Sequence, residues 1–421
     1  MSESVASAAA DPRALDAYGA GRWAEAAQLF LEAVKADPRQ PRPWLGLAAA
    51  LANGGDTTAV LDTVRSRDTL LHDGLAFFHD VLVVLMNERR HDAVLALHTA
   101  VGGDDLLATF TSYFAGCVLL LNGEEDAAFH LFSRFKMLTQ THAHHLDVGA
   151  HSHFNIAYRQ GMLVEDRDYF AALAPSALAR ALAAVPEPQI VTRPTQQPER
   201  GVVLAACDGA YLARFGKGLV DSFARHGGGF VLHLHVVAPD GAALGQLAAL
   251  AGDRVGTSFE TAQPDLDAAY YSCARFLAAR RLAPLWQAPV LTVDVDVELV
   301  APLAPLAAAA TETKVDFGVF RHSGYGPCSR YPAVATWFGA GAGGQTALAR
   351  VSDFILSKRG VRAPFNWMLD QAALASAVRL LRGGEVKVGF LDVLTGDDWR
   401  AFLRSVGSEQ EKAALAAAAN R

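Results

Sequence analysis

Two aspartates follow an apolar stretch in the segment APVLTVDVDVELVAPL, residues 288–303. Asp294 and Asp296 are separated by Val295, and the residues before them are the apolar and β-branched types of a buried strand. Because side chains alternate along a strand, both carboxylates are expected on the same side of the chain, at the strand's carboxyl end. Open α/β sheets bind ligands at that end, and hard oxygen ligands suit Mn²⁺ or Mg²⁺. The pair predicts a divalent cation that neutralises a diphosphate; capping or solvated carboxylates are the alternative.

Short apolar runs alternate with helical stretches around this pair. GVVLAAC (201–207), FVLHLHVV (230–237) and APVLTV (288–293) have the composition of buried strands, and a helical pattern follows each of the first two. Strands that alternate with helices form βαβ units. The sequence therefore predicts an α/β domain with a mostly parallel sheet over residues 201–396.

Further motifs lie on both sides of the aspartate pair. Tyr270, Tyr271 and Arg275 stand on a predicted helix before it, ACDGAYLARFGKGLVDSF (206–223) forms an opening strand, loop and helix, and FNWMLDQAAL (365–374) follows it. This combination resembles the nucleotide-sugar glycosyltransferases of the GT-A fold, most closely those of glycosyltransferase family 8. The resemblance covers roughly residues 201–395. It implies a retaining hexosyltransferase that uses a nucleotide sugar such as a UDP-sugar, assisted by Mn²⁺ or Mg²⁺.

The resemblance also implies roles for individual residues. In such enzymes the Asp-Gln motif lies beside the reacting sugar, the opening loop lies along the nucleotide, and the paired aspartates bind the metal. By this resemblance the catalytic residues are Asp370 and Gln371, the metal ligands are Asp294 and Asp296, and the nucleotide-sugar contacts are Asp208, Tyr211, Tyr271, Arg275, Asp294 and Trp367. An inverting reaction would instead make Asp370 the general base for the acceptor hydroxyl.

The chain departs from the family pattern at two places. The family supplies a third metal ligand from a C-terminal His, but no His follows Asp370 here. Asp392, Asp397, Asp398 or a water are then the candidates, and a dispensable metal is the alternative. The family's Asn-x-Gly acceptor segment lacks its Asn, and FGAG (338–341) stands in its place. The longer segment GAGAGG (339–344) suggests a phosphate cradle or, with no Lys-Ser/Thr after it, a flexible loop or a site of close backbone packing.

Several of these residues have a simpler interpretation. Arg275 suits the solvated face of an amphipathic helix, and Asp370 suits an exposed helix charge. The histidines from His142 to His153 suggest a transition-metal site, a solvated helix end or part of a partner-binding groove. His322, in FRHSGYG (320–326), is a candidate substrate contact.

The first 185 residues predict helices that recur with a fixed period. Anchoring on Ala26, Val60, Ala93 and Ala128 gives steps close to 34 residues. Small residues let paired helices approach, and an aromatic residue fills the gap to the next pair. The pattern resembles the tetratricopeptide repeat, with an irregular helical bundle as the alternative. Such repeats present a surface to peptide segments, which indicates a protein or glycan acceptor.

The segment PEPQIVTRPTQQPER (186–200) has four prolines, so a linker is expected there, and residues 397–421 are expected to form a helical tail. The fold class expected for the whole chain is therefore an α-solenoid at residues 1–185 followed by a GT-A type α/β domain.

Composition limits the remaining possibilities. The chain has 421 residues, 37 Lys and Arg, 44 Asp and Glu, and a net charge of −7, which argues against a nonspecific nucleic-acid binder. It has no uninterrupted apolar run long enough for a transmembrane helix and no basic-then-apolar signal peptide. The four cysteines form no close pair, so a reducing cytoplasm is expected.

Three functions are compatible with these features. The first is a metal-assisted glycosyltransferase whose helical repeats present the acceptor. The second is a helical-repeat adaptor whose C-terminal domain binds a nucleotide without catalysis. The third, a nucleotidyltransferase, calls for a glycine-rich basic loop near the first strand, which ACDGAYLARFGKG does not match.

Overall fold

The computed structural model describes residues 11–122, 124–141, 175–262, 268–321, 331–358, 369–408 and 411. The chain divides into two compact units, residues 1–169 with 323–327 and residues 170–322 with 328–421. The described part of the first unit is helical, and the second unit contains the strands. The predicted order, a helical region followed by a region of strands and helices, is confirmed.

Consecutive helices of the N-terminal unit pack against each other through small and aromatic residues. A Cβ atom added to Gly46 would lie 2.5 Å from the Phe30 ring, and one added to Gly116 would lie 2.8 Å from the Phe132 ring. These glycines therefore allow the close approach of neighbouring helices. The described helices are α1 (Pro12–Gly19), α2 (Trp23–Ala36), α3 (Pro41–Asn53), α4 (Thr57–Leu71), α5 (Gly74–Asn87), α6 (His91–Val101), α7 (Asp105–Asn122) and α8 (Glu125–Thr141).

The residues that anchor the sequence period occupy matching places in this unit. Ala26, Val60, Ala93 and Ala128 are the third or fourth residues of α2, α4, α6 and α8. All but Ala93 are fully buried.

The helix α7 is, by length and composition, the one described helix that could span a membrane. However, 72% of it is buried inside the protein. A core helix of a helical bundle has the same properties, so this feature alone assigns nothing to a membrane.

The C-terminal unit is built around an eight-stranded sheet. Its strands lie in the order β1-β4-β3-β2-β5-β8-β7-β9, and β6 pairs separately with β10. The ranges are β1 (Gln189–Thr192), β2 (Gly201–Cys207), β3 (Phe230–Val237), β4 (Val255–Glu260), β5 (Val290–Val293), β6 (Val297–Leu299), β7 (Phe317–Val319), β8 (Ala335–Phe338), β9 (Val388–Phe390) and β10 (Leu403–Ser405).

The sheet is mixed, so the prediction of a mostly parallel sheet is wrong. The pairs β2–β3, β3–β4, β2–β5 and β7–β9 are parallel, whereas β1–β4, β5–β8 and β7–β8 are antiparallel. The predicted parallel order is found in the central strands β2 to β5, each of which is buried along its whole length apart from one residue of β4.

Helices cover both faces of the sheet. The described helices of this unit are α9 (Pro175–Ala184), α10 (Gly209–Tyr211), α11 (Lys217–His226), α12 (Gly241–Leu250), α13 (Ala268–Trp286), α14 (Ala304–Glu312), α15 (Ala342–Lys358), α16 (Leu369–Leu381) and α17 (Leu391–Thr395). One face carries α13, α15 and α16. On the other face, α11, α12 and α14 share a hydrophobic core with alternate residues of β2, β3 and β5.

Two expected boundaries are corrected by the sheet. The segment 186–200, predicted to be a linker, contains β1, which pairs with β4 and forms the edge strand of the sheet. Its short QIVT run adds a strand despite the neighbouring prolines because an edge strand needs a partner on one side only. The expected helical tail begins instead with a 3₁₀ turn, Trp399–Ala401, and β10, which pairs with β6. Residues 412–421 lie outside the described residues.

Candidate functional site

The carboxyl ends of the parallel strands meet at one edge of the sheet. Asp208 follows β2, Glu260 ends β4, and Asp294 follows β5. The antiparallel strand β8 starts at this edge, where the backbone N–H of Asp294 donates to the carbonyl of Val334 at 3.3 Å. Residues from the loops before and after these strands are therefore brought together, as in other open α/β sheets.

Arg275 lies at the centre of this edge and joins two of the predicted motifs. Its Nη1 lies 2.9 Å from Oδ1 of Asp294, and its Nη2 lies 2.9 Å from Oδ2 of Asp370. Nη2 also donates to the carbonyl of Ala333 at 3.1 Å, and Nη1 donates to the carbonyl of Ser272. Arg275 thus links the tyrosine-rich helix, the aspartate pair and the Asp-Gln motif.

Burial of Arg275 and Asp370 shifts the pKa of both side chains. Arg275 is 2% exposed and Asp370 is 6% exposed, so neither is the solvated helix charge of the simpler interpretation. Burial raises the pKa of Asp370. The Arg275 guanidinium lowers this pKa, and the Asp294 carboxylate raises it further. Burial opposes the charge on Arg275, but Asp294 and Asp370 outweigh it and raise the pKa of the guanidinium. The arginine remains a buried cation between two carboxyl groups.

Asp294 and Asp296 do not lie on a strand. They lie in the connection between β5 and β6, with Val295 and Asp296 in a turn. The Asp294 side chain is 34% exposed, so it touches both Arg275 and solvent. Burial raises the pKa of the Cys207 thiol, and the nearby carboxylates of Asp208 and Asp296 raise it further. The carboxylates of Asp208 and Asp296 therefore lie near Cys207, which ends β2.

Asp208, Tyr211, Tyr271 and Gln371, the other described residues predicted to act at the site, lie close to this edge. Asp208 caps the short helix α10, because its Oδ1 accepts the backbone N–H of Tyr211 at 2.7 Å. Burial raises the pKa of Asp208, while the N–H groups of Tyr211 and Ala210 lower it. Tyr271 and Gln371 are half-buried, and the N–H of Gln371 donates to Oδ1 of Asp370 at 2.8 Å.

A chain of buried polar side chains, which was not predicted from the sequence, lies on the α13 side of the sheet. The Tyr270 hydroxyl donates to Glu260, and Nε2 of His235 lies 3.4 Å from the other Glu260 oxygen. Ser258 Oγ lies 2.9 Å from Nδ1 of His235 and 2.7 Å from Nε2 of His233. The alternating histidines in FVLHLHVV were the available signal, because polar residues at every second position of an apolar strand share one face.

The glycine-rich segment lies far from Asp294. Because β8 runs antiparallel to β5, Phe338 pairs with Val290 at the amino end of β5, so residues 339–344 lie at the opposite edge. A Cβ atom on Gly344 would lie 1.9 Å from the Gly339 carbonyl oxygen, which fits close backbone packing. A cavity of about 400 Å³ at this edge is lined by Gln287, Phe338 and Gln345, among others. The expectation that FGAG (338–341) stands in the acceptor segment is therefore wrong, and Ala333 and Val334 occupy the place beside Asp294.

Asp392, a candidate third metal ligand, already has a cation as its partner. Its carboxylate accepts from Nε and Nη2 of Arg321 at 3.0 and 2.8 Å, and from the Arg321 backbone N–H at 3.1 Å. Within the described ranges, no group of three His, Cys, Asp or Glu side chains is arranged to hold a metal ion. Trp367, His322 and the histidines from His142 to His153 lie outside the described residues.

The comparisons with known proteins supply no family for the chain. A scan against models of known protein families finds no match. A search of the curated proteins also finds no significant match.

Proposed function

We propose that the C-terminal unit is a GT-A type glycosyltransferase that moves a hexose from a nucleotide sugar to an acceptor. One observation carries this proposal, namely that Arg275 binds both Asp294 and Asp370 at 2.9 Å. These residues come from three motifs that the resemblance placed around a bound nucleotide sugar. Their meeting at the carboxyl edge of the sheet, where open α/β sheets bind ligands, supports a common site.

The charge balance at this edge supports a divalent cation. Asp208, Asp294, Asp296 and Asp370 contribute four carboxyl groups, and Arg275 contributes the cation that pairs with two of them. The oxygen donors fit a hard cation such as Mn²⁺ or Mg²⁺, and the partial exposure of Asp294 leaves it accessible. Asp294 and Asp296 are the residues that would hold the ion. When bound, the ion supplies a Lewis acid for the diphosphate leaving group.

The other residues act on the sugar and the phosphates. Arg275 orients Asp294 and Asp370 and adds positive charge near the phosphates. In a retaining reaction, Asp370 and Gln371 line the reacting face of the sugar and stabilise positive charge at the anomeric carbon. In an inverting reaction, Asp370 accepts the proton of the acceptor hydroxyl, a role that its raised pKa favours. Asp208 and Tyr211 would contact the base and ribose, with Tyr271 and Trp367 completing the donor site.

The N-terminal unit would present the acceptor. The matching positions of Ala26, Val60, Ala93 and Ala128 in alternate helices support tetratricopeptide-like repeats. Repeats of this kind bind peptide segments, so the acceptor would be a protein or a protein-bound glycan.

One observation favours the alternative, an adaptor with a non-catalytic nucleotide-binding domain. Arg275 already pairs with both Asp294 and Asp370, so each of these carboxyl groups has a partner without a ligand. A domain that had lost catalysis would keep such a network for stability alone.

A donor screen separates the two functions. The full chain is incubated with UDP- and GDP-sugars and Mn²⁺, and release of nucleoside diphosphate is measured. The enzyme is expected to hydrolyse at least one donor slowly without acceptor. Binding of Mn²⁺ and nucleotide with no turnover of any donor, even with cell-extract acceptors, would favour the adaptor.

A further inference from the structure

Arg321 lies at the same edge of the sheet as Asp294. In the sheet register, Thr292 of β5 pairs with Thr336 of β8, and Thr336 pairs with Val319 of β7. Asp294 and Arg321 each stand two residues beyond this row, Asp294 directly after β5 and Arg321 two residues after the end of β7. Two strand spacings separate their backbones, which is about 10 Å. A group of monosaccharide size attached to a diphosphate at Asp294 would span that gap.

The Arg321 side chain is fixed in place before any ligand binds. Asp392 accepts two of its side-chain N–H groups, and the guanidinium carbon lies 4.9 Å from the centre of the Phe390 ring. The Phe390 ring stacks in turn on Tyr331 with an angle of 2° between the rings. An arginine held on one side by a carboxylate and on one face by a ring loses little further entropy when it binds.

Part of this guanidinium remains available to a ligand. The Arg321 side chain is 36% exposed, and its Nη1 has no hydrogen-bond partner among the described residues. A second cation, Arg382, is exposed and lies 5.9 Å from the same Phe390 ring. Arg321, Arg382 and Asp392 together carry a net charge of +1. This basic, aromatic corner contrasts with the acidic group around Asp294 at the same edge.

We infer that Arg321, supported by Arg382 and Phe390, is a binding subsite for a carboxylate or phosphate ester carried by the hexose donor or by the acceptor. The inference rests on the proposed function, because that function places the diphosphate at Asp294. A planar guanidinium binds such anions through charge-assisted hydrogen bonds, and a neutral hydroxyl gains much less from them. The reaction would therefore use an anionic sugar rather than a neutral one.

The test measures binding of anionic and neutral ligand pairs by calorimetry. Glucose 6-phosphate and glucuronate are compared with glucose, with and without Mn²⁺ and UDP, and UDP-glucuronate is compared with UDP-glucose. A preference among the free sugars places the anion on the acceptor, and a preference among the nucleotide sugars places it on the donor. The wild type is expected to prefer an anionic ligand by about tenfold or more, the value of one charge-assisted hydrogen bond.

Two variants test the subsite, and a third serves as the control. Arg321→Gln is expected to remove the preference, and Arg382→Gln, at an exposed position, is expected to weaken it without affecting folding. Arg400→Gln is the matched control, because Arg400 also pairs with an aspartate, Asp398 at 2.8 Å, and lies 4.8 Å from the centre of the Trp399 ring. Binding of Mn²⁺ and UDP should be unchanged in all three variants.

The outcomes separate this inference from the proposed function. Absence of any anion preference in the wild type, or its persistence in Arg321→Gln, would overturn the subsite. Failure of the wild type to bind Mn²⁺ and UDP would count against the proposed function, and the titrations without nucleotide would still test Arg321.

Discussion

Arg275 and Asp370 are 95 residues apart in the sequence, yet their side chains form a buried ion pair with an N–O distance of 2.9 Å. The same guanidinium binds Asp294, which solvent reaches. A charge network that is buried at one end and exposed at the other can receive a ligand at its exposed end without unfolding. The predictions below test this network, the strands that support it and the chemistry assigned to it.

Replacing Arg275 should destabilise the C-terminal unit strongly. Arg275→Met leaves the Asp370 carboxyl buried without its cation, and removal of one partner of a buried pair costs about 3–5 kcal/mol. Urea unfolding of the full chain measures this loss. Arg280→Met is the control, because Arg280 stands on the same helix and pairs with Asp353 in a more exposed place. The double variant Arg275→Met/Asp370→Asn should recover part of the stability lost in Arg275→Met. Equal losses of stability in Arg275→Met and in the control Arg280→Met would contradict the network.

The buried histidine of β3 should make stability depend on pH. Burial, together with the neighbouring His235, lowers the pKa of His233 to about 3. The unfolded chain therefore binds a proton at this residue near its ordinary pKa of about 6.5, while the folded chain does not. The contribution of neutral His233 to the free energy of unfolding is fully present above pH 6.5. It is lost as the pH falls towards 3, and the free energy of unfolding falls by at most about 1.4 kcal/mol per pH unit in this range.

The pH effect is isolated by comparing variants. His233→Gln should have a smaller slope of unfolding free energy against pH between pH 6.5 and 4 than the wild type. His226→Gln, at the end of α11, is the control and should keep the wild-type slope. If His233→Gln keeps that slope as well, His233 is not held neutral in the folded protein.

Truncation should place the boundary of the C-terminal unit before α9. Arg281 donates to the carbonyl of Leu182 at 2.7 Å and pairs with Glu187, and β1 covers the edge of β4. A chain of residues 170–421 keeps these contacts, whereas residues 201–421 lose them and expose a sheet edge. The shorter chain should melt at least about 2 °C lower, since a loss of about 1 kcal/mol shifts Tm by about 2–4 °C at this size. Equal melting temperatures and equal solubility would show that residues 170–200 are a passive linker.

Part of the site could be predicted because its residues stand in local motifs. Asp294 was identified from the apolar run before it and the neighbouring Asp296, whereas Arg275 and Asp370 were identified from motifs that resemble those of a known family. The three residues meet in the fold. The Ala333 carbonyl could not be identified this way, because any residue supplies a carbonyl and only the fold decides which one is near. The burial of Arg275 could not be predicted from the sequence either, because a charged residue on a helix usually faces solvent.

The direction of strands explains most of the other differences. The apolar run of β8 has the composition of a buried strand in either direction, so the sequence did not show that residues 339–344 lie opposite Asp294. The β1 strand has only four residues between prolines, and its pairing depends on the exposed edge of β4 rather than on its own composition.

The central claim is that Asp294 and Asp296 bind a divalent cation that assists departure of a nucleoside diphosphate. The most direct measurement is Mn²⁺-dependent release of nucleoside diphosphate from the donor that the wild type turns over, with melting curves for each variant. Asp296→Asn is the more informative substitution because Asp294 also pairs with Arg275, and the control is Asp221→Asn on the exposed surface of α11. Loss of a ligand should reduce release by about 100-fold or more with the fold intact, because the metal contributes several kcal/mol. Release at the wild-type rate by Asp296→Asn or Asp294→Asn would contradict the metal assignment and, with it, the proposed enzyme.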